Sequence, residues 1–151
     1  VGSGLWTLDV GRKDYSWEGI MSVPEGLKYT KEHEWVKVEG DKGRVGITHY
    51  AQDQLGDVVF VELPKKGRKL RQMETFGVVE SVKAVSDLFS PVGGEVVEVN
   101  GELERKPELV NADPYGGGWM ILIKIANSKE LNNLLSASEY TAYLKKAGGG
   151  H

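Results

Sequence analysis

Short runs of alternating apolar and polar residues, each cut off by glycine or proline, recur along most of this chain. E-W-V-K-V-E (residues 34–39) alternates apolar and charged residues, G-D-K-G turns the chain, and R-V-G-I-T follows as a second run. Side chains of a strand alternate between two faces, so each run predicts a strand with one buried face. D-V-V-F-V-E-L-P continues the series and is closed by Pro64, which cannot donate to a central ladder. T-F-G-V-V-E-S-V, then A-V-S-D-L-F-S-P-V-G-G-E-V-V-E-V-N, supply three more strands, with a Pro–Gly turn before the last. W-M-I-L-I-K-I is the most apolar run and predicts a strand packed on both faces.

The connections are less regular. Thr48 is placed to cap a short helical turn over H-Y-A-Q-D-Q-L, with Ala51 and Leu55 on one side and Gly56 to stop it. K-K-G-R-K-L-R-Q-M-E reads as a basic, turn-rich connection, and L-E-R-K-P-E-L-V-N-A-D-P-Y-G-G-G as a long irregular one. Only after residue 127 does the period become helical. Ser128 is the expected N-cap of a first segment, with Leu131, Leu134 and Leu135 on a stripe, and Ser136 or Ser138 that of a second. The pattern therefore predicts a mainly β fold: a small antiparallel β-sandwich or flattened barrel with short helices and a helical C-terminal flank. D-V-V-F-V-E-L-P and G-E-V-V-E-V-N echo each other, which suits two similar halves.

The ends differ from the middle. Residues 1–20 read as an appended segment in which L-W-T-L-D-V and Y-S-W-E-G-I flank G-R-K-D, as a hairpin would. Asp9, Asp14 and Glu18 argue against a secretory signal or a transit peptide there. A-G-G-G-H at 147–151 reads as a linker and the stub of a fusion tag, which leaves 21–146 as the domain.

Several chemistries fit poorly. With no cysteine, thiolate nucleophiles, thiolate metal sites and disulfides are excluded. A net charge of −3 supplies no basic stripe for nucleic acid, and no apolar run approaches membrane-spanning length. His33-Glu34 begins a zinc motif that position 37, a lysine, does not complete. No G-x-S-x-G elbow exposes a serine, and the glycine pairs and triplets read as turns. Neither a catalytic nor a metal site is expected.

One residue stands apart. Lys83, in E-S-V-K-A, falls at the tip between two strands, flanked by Val82, Ala84 and Val85, with Glu80 as the nearest acid in sequence. A lysine so placed projects its amine away from the fold. The residues alone leave open whether it is a solvated surface charge or a chemical handle.

K-Y-T-K-E-H-E-W-V, V-G-I-T-H-Y-A-Q-D-Q-L-G-D-V-V-F-V-E-L-P, E-S-V-K-A-V-S-D-L-F-S-P-V-G-G-E-V-V-E-V-N and P-E-L-V-N-A-D-P-Y-G-G-G-W-M-I stand in one order and spacing. Together, over about residues 27–144, they resemble the H proteins of the glycine cleavage system. The resemblance implies a lipoyl-domain-like (hybrid-motif) fold and a non-catalytic carrier of glycine catabolism and one-carbon metabolism. It implies lipoic acid in amide linkage to Lys83. The implied partners are glycine decarboxylase, an aminomethyltransferase, dihydrolipoamide dehydrogenase, and a lipoate ligase or lipoyl/octanoyl transferase that loads the arm. It also implies a cleft that shelters the arm, with Glu34 as an acid near the bound amine and His33 and Trp35 as neighbours. Glu34 as a solvated strand carboxylate remains open beside that. Glu80 and Asp87 are expected to help the loading enzyme recognise the turn, and Gln54 stands where some relatives carry histidine. S-V-K-A fits neither the D-K-A of 2-oxo-acid dehydrogenase lipoyl domains nor the M-K-M of biotin carriers.

Two alternatives share this body: a relay that passes lipoyl groups to other enzymes, and an engineered scaffold that presents residues 1–20. A monomer in a bacterial-type cytoplasm, rather than a mitochondrial matrix, is the expected state.

Overall fold

A computed structural model describes residues 22–148. The expected hairpin in 1–20 and the end of the expected linker, 149–151, lie outside the described residues.

Two antiparallel sheets make the body. The larger has six strands: β1 (Lys28–Tyr29), β2 (Glu34–Glu39), β3 (Lys42–Ile47), β5 (Lys69–Leu70), β8 (Gly94–Val99) and β9 (Ile121–Ile125), ordered β1-β2-β3-β9-β8-β5. The smaller contains β4 (Val58–Glu62), β6 (Thr75–Ser81) and β7 (Val85–Phe89), ordered β4-β6-β7. The two valine-rich runs thus fall in different sheets, β4 in the small one and β8 in the large one. Buried valines, leucines and isoleucines from both sheets form one core with Phe76, which is 1% exposed. As its composition predicts, β9 is an interior strand, and Ile121, Leu122 and Ile123 are all buried.

Helix α1 (His49–Leu55) starts at Thr48, whose hydroxyl accepts the Ala51 N–H at 3.2 Å, and it stops at Gly56. The C-terminal flank is α4 (Ala137–Gly148). Here Ser136 is the cap: its hydroxyl accepts the Glu139 N–H at 3.2 Å, while Glu139 accepts the Ser136 N–H at 2.8 Å, the reciprocal pair of a capping box. Tyr140 and Leu144 of α4 pack with Tyr29 and Trp35 in a second apolar cluster, where the Tyr29 and Tyr140 rings stack at 4.7 Å.

Three local expectations need correction. The segment expected to be capped by Ser128 is a 3-10 turn, Ser128–Asn133, and its cap is Asn127, which accepts the Lys129 N–H at 3.1 Å. Asparagine one position earlier already satisfies the free donor, so the serine enters the turn. The connection taken as irregular contains two single-turn helices, α2 (Glu102–Arg105) and α3 (Leu109–Ala112), each burying one apolar residue, Leu103 and Val110. The basic connection contributes β5, whose Leu70 is buried while Lys69 stays outside.

Candidate functional site

Strands β6 and β7 form a hairpin whose tip is Val82-Lys83-Ala84. The Ser81 hydroxyl accepts the N–H groups of Lys83 at 3.2 Å and Ala84 at 3.0 Å, and the Ser81 N–H donates to the Ala84 carbonyl at 2.8 Å. One small hydroxyl residue therefore sets the turn from inside. From outside, the Val82 N–H donates to the Asp57 carbonyl at 3.0 Å. Lys83 is exposed, and its valine neighbours Val82 and Val85 are 70% and 69% exposed.

The lysine stem runs over Gly56. A methyl group built there would sit 3.4 Å from the Lys83 Cε, and the glycine φ of 80° is one that side-chain-bearing residues rarely adopt. The stop signal of α1 thus doubles as the bed of the lysine. On the same helix, burial raises the Asp53 carboxyl above its ordinary range, while the charges of His49 and Lys83 draw it down.

Beside the hairpin lies a cleft of about 190 Å³ between α1, the start of β2 and β7. Ile47, Leu55, Val79 and Leu88 give it apolar walls, while Glu32, His33, Glu34, Tyr50, Gln54, Ser86 and Asp87 bring polar atoms. Among the residues singled out from sequence, the fold gathers His33, Glu34, Gln54 and Asp87 here. Glu80 is not among the lining residues. It pairs with Phe60 and Val85 across the small sheet, and alternation turns it away from the face of its neighbour Val79, which does line the cleft. Trp35 also lies elsewhere, in the second apolar cluster, with its indole N–H donating to the Pro114 carbonyl at 3.1 Å.

Glu34 is 1% exposed, so it is no solvated strand carboxylate. Its Oε1 accepts the Thr30 hydroxyl and its Oε2 accepts the Phe89 N–H at 3.1 Å. The Thr30 oxygen in turn accepts the N–H groups of Glu32 and Glu34, each at 3.1 Å. Burial dominates the carboxyl's titration and pushes it up from 4.5 to about 8, against the hydrogen bonds from Thr30 and Phe89. His33, with a φ of 75°, is held by Tyr140, whose hydroxyl lies 2.8 Å from its Nδ1 and 2.8 Å from the Thr48 hydroxyl. Burial lowers His33 to about 4, so the ring is neutral at physiological pH. Sequence reasoning missed Thr30 and Tyr140. Tyr140 stands 107 residues from His33, and no local signal joins them.

A rigid antiparallel sandwich that lifts one uncovered lysine on a braced hairpin, next to a mixed apolar and polar cleft, defines a carrier of the lipoyl-domain type. The chain belongs to the glycine cleavage H-protein family, whose model matches residues 27–147. It is 62% identical to the glycine cleavage system H protein of Symbiobacterium thermophilum over 127 residues, 84% of this chain and 99% of that protein. Over 126 residues it is 58% identical to that of Halothermothrix orenii, 83% of this chain and 98% of that protein. A crystal structure of a glycine cleavage system H protein from Mycobacterium marinum superposes with a TM-score of 0.74 at 39% identity, covering 83% of this chain and 99% of the other. The chain is the non-catalytic lipoyl carrier of the glycine cleavage system, and members of the family hold lipoic acid covalently on a lysine. The residues present suit that group: an exposed primary amine at a braced tip, a glycine bed for the stem, and a cleft with apolar walls nearby. Among the described residues no helix is long and apolar enough to cross a membrane.

Proposed function

We propose that Lys83 is the lipoyl attachment residue and that the cleft lined by Glu34, Gln54 and Asp87 shelters the loaded arm. The single observation that carries this reading is the tip itself, where Ser81 and Asp57 hold the backbone while the lysine is exposed and its stem passes over Gly56. Attachment forms an amide between the lipoyl carboxyl carbon and Nζ, breaks the acyl bond to the activating group, and releases a proton from the amine. When bound, the lipoyl group supplies a disulfide that takes up the aminomethyl unit of glycine. The chain supplies position: a stiff hairpin confines the arm near the protein and raises its effective concentration at each partner site.

Among the residues lining the cleft Asp87 is exposed, as is Glu32, and offers an acid to a cationic amine. Glu34 stands behind it with both oxygens engaged, and it shapes the wall that joins β2 to β7. Tyr50 and Gln54 add hydrogen-bonding groups along α1. Glu80, turned to the outer face with Phe60 and Val85, belongs to the surface that the loading enzyme covers. The carrier domain starts at about residue 21, with 1–20 outside it, and α4 carries it past the expected end at 146 to Gly148. Its partners are glycine decarboxylase, the aminomethyltransferase, dihydrolipoamide dehydrogenase and a lipoate-attaching enzyme, in a bacterial cytoplasm. Intact mass after incubation with lipoate, ATP and a lipoate ligase, followed by peptide mapping, tests this. One lipoyl-sized addition on the Lys83 peptide is expected, and no addition with a ligase active on a control carrier overturns the assignment.

A further inference from the structure

We infer that Asn111 is a positioning residue for the modification of Lys83; the inference rests on Lys83 as the attachment residue. Asn111 lies on the single-turn helix α3, far from the hairpin in sequence. Its Oδ1 accepts the Val58 N–H at 2.8 Å, and its Nδ2 donates to the Gly56 carbonyl at 2.9 Å and to Gln52 Oε1 at 3.0 Å. One side-chain amide thus closes over the backbone on both sides of Asp57. That matters because the Asp57 carbonyl accepts the Val82 N–H at 3.0 Å. Among the described residues this is the one hydrogen bond that ties Val82–Ala84 to anything outside their own hairpin. The Ser81 hydroxyl braces the turn internally and leaves its placement against the body to Asp57. Gly56, whose carbonyl Asn111 holds, is also the bed of the lysine stem.

The path therefore runs from Asn111 through the Gly56 and Asp57 peptide units to the residue preceding Lys83. Every link in it is a hydrogen bond of ordinary length. Removing the amide frees the 56–58 backbone, and with it both the anchor of the tip and the floor under the stem. A loading enzyme must then order the tip itself, and loose placement of a reacting amine costs rate. Asn111→Asp keeps the acceptor for Val58 but sets a carboxylate against the Gly56 carbonyl and Gln52 Oε1, so it shares the defect.

The test uses the full chain as wild type, Asn111→Ala, Asn111→Asp and Ile123→Val, the last a core change distant from the tip that serves as a stability control. Ligase kcat/KM for lipoate transfer to Lys83 and hydrogen exchange at the Val82 amide are measured together. Both Asn111 variants are expected to lose about tenfold or more in kcat/KM. Exchange at Val82 should rise in parallel, with core amides such as Val96 unaffected, and Ile123→Val should match wild type in both readouts. Wild-type ligation in Asn111→Ala, unchanged Val82 exchange, or an equal loss of rate in Ile123→Val overturns the inference. So does failure of both Asn111 variants to fold, which makes the residue one of stability alone. If wild type itself accepts no lipoate, the assignment of Lys83 fails instead, while Val82 exchange still reports on Asn111.

Discussion

Glu34, the first residue of β2, accepts the backbone N–H of Phe89, the last residue of β7, at 3.1 Å. A buried carboxyl group thereby joins the large sheet to the far end of the lysine hairpin. Glu34→Ala leaves the Phe89 N–H and the Thr30 hydroxyl without their acceptor, a loss of about 1–3 kcal/mol for a buried polar group left unpaired. Denaturant unfolding at pH 6 should show it, with a smaller loss for Glu34→Gln, whose amide oxygen replaces one of the two acceptors.

The same residue, set against His33, shapes the pH dependence of stability. Glu34 is raised from 4.5 to about 8, so the folded state holds a proton that the unfolded chain has released; this contribution is complete below pH 4.5 and is lost as pH rises through about 8. His33 is lowered from 6.5 to about 4, so its contribution is complete above pH 6.5 and is lost as pH falls through about 4. The two trends offset each other between those limits. Melting temperature should therefore be broadly maximal between pH 4.5 and 6.5 and fall on both sides. Glu34→Gln should flatten the alkaline limb and His33→Gln the acid one.

Replacing Lys83 separates chemistry from folding. The side chain is exposed and its backbone bonds survive substitution, so Lys83→Ala should change stability by no more than about 0.5 kcal/mol. Lipoyl incorporation, read by intact mass, should vanish. A larger loss of stability would make the lysine a structural residue.

Gly46 tests the packing that carries the second apolar cluster. A methyl group there would lie 2.7 Å from Cζ2 of the Trp35 ring, which is 1% exposed and held by Pro114. Gly46→Ala should cost about 1–3 kcal/mol through overpacking, with a shifted Trp35 emission as the local sign.

Much of this architecture was already visible in one dimension. The mixed apolar and charged run E-W-V-K-V-E and the unbroken apolar run I-L-I mark strands, although β2 buries Glu34, Trp35 and Val36 in succession and leaves Val38 44% exposed instead of alternating. Thr48 and Gly56 mark the ends of α1 because caps act within one turn. Lys83 stood out for a similar reason, a lone amine where two alternating runs meet. Local chemistry was less sharp where neighbours compete for one role. Asn127 displaced Ser128 as a cap, and the two single-turn helices rest on the burial of Leu103 and Val110 rather than on any periodic stripe.

Strand order, burial and the cleft belong to another scale. Glu34 reads the same in sequence whether it faces water or the core; only the meeting of β2 with β7 buries it and shifts its titration to about 8. His33 and Tyr140, or Asn111 and the 56–58 backbone, meet because sheets and helices close over one another, and hydrogen bonds across such distances leave no periodic trace. The sequence by itself determined the longer strands, the Thr48 and Gly56 ends of α1 and the place of a lone lysine between two strands, since these follow from contacts between near neighbours. Only the tertiary structure decided that Glu34 is buried while Asp87 stays exposed, and that the Asp57 carbonyl braces the hairpin tip, since desolvation and long-range pairing exist only once the chain has folded.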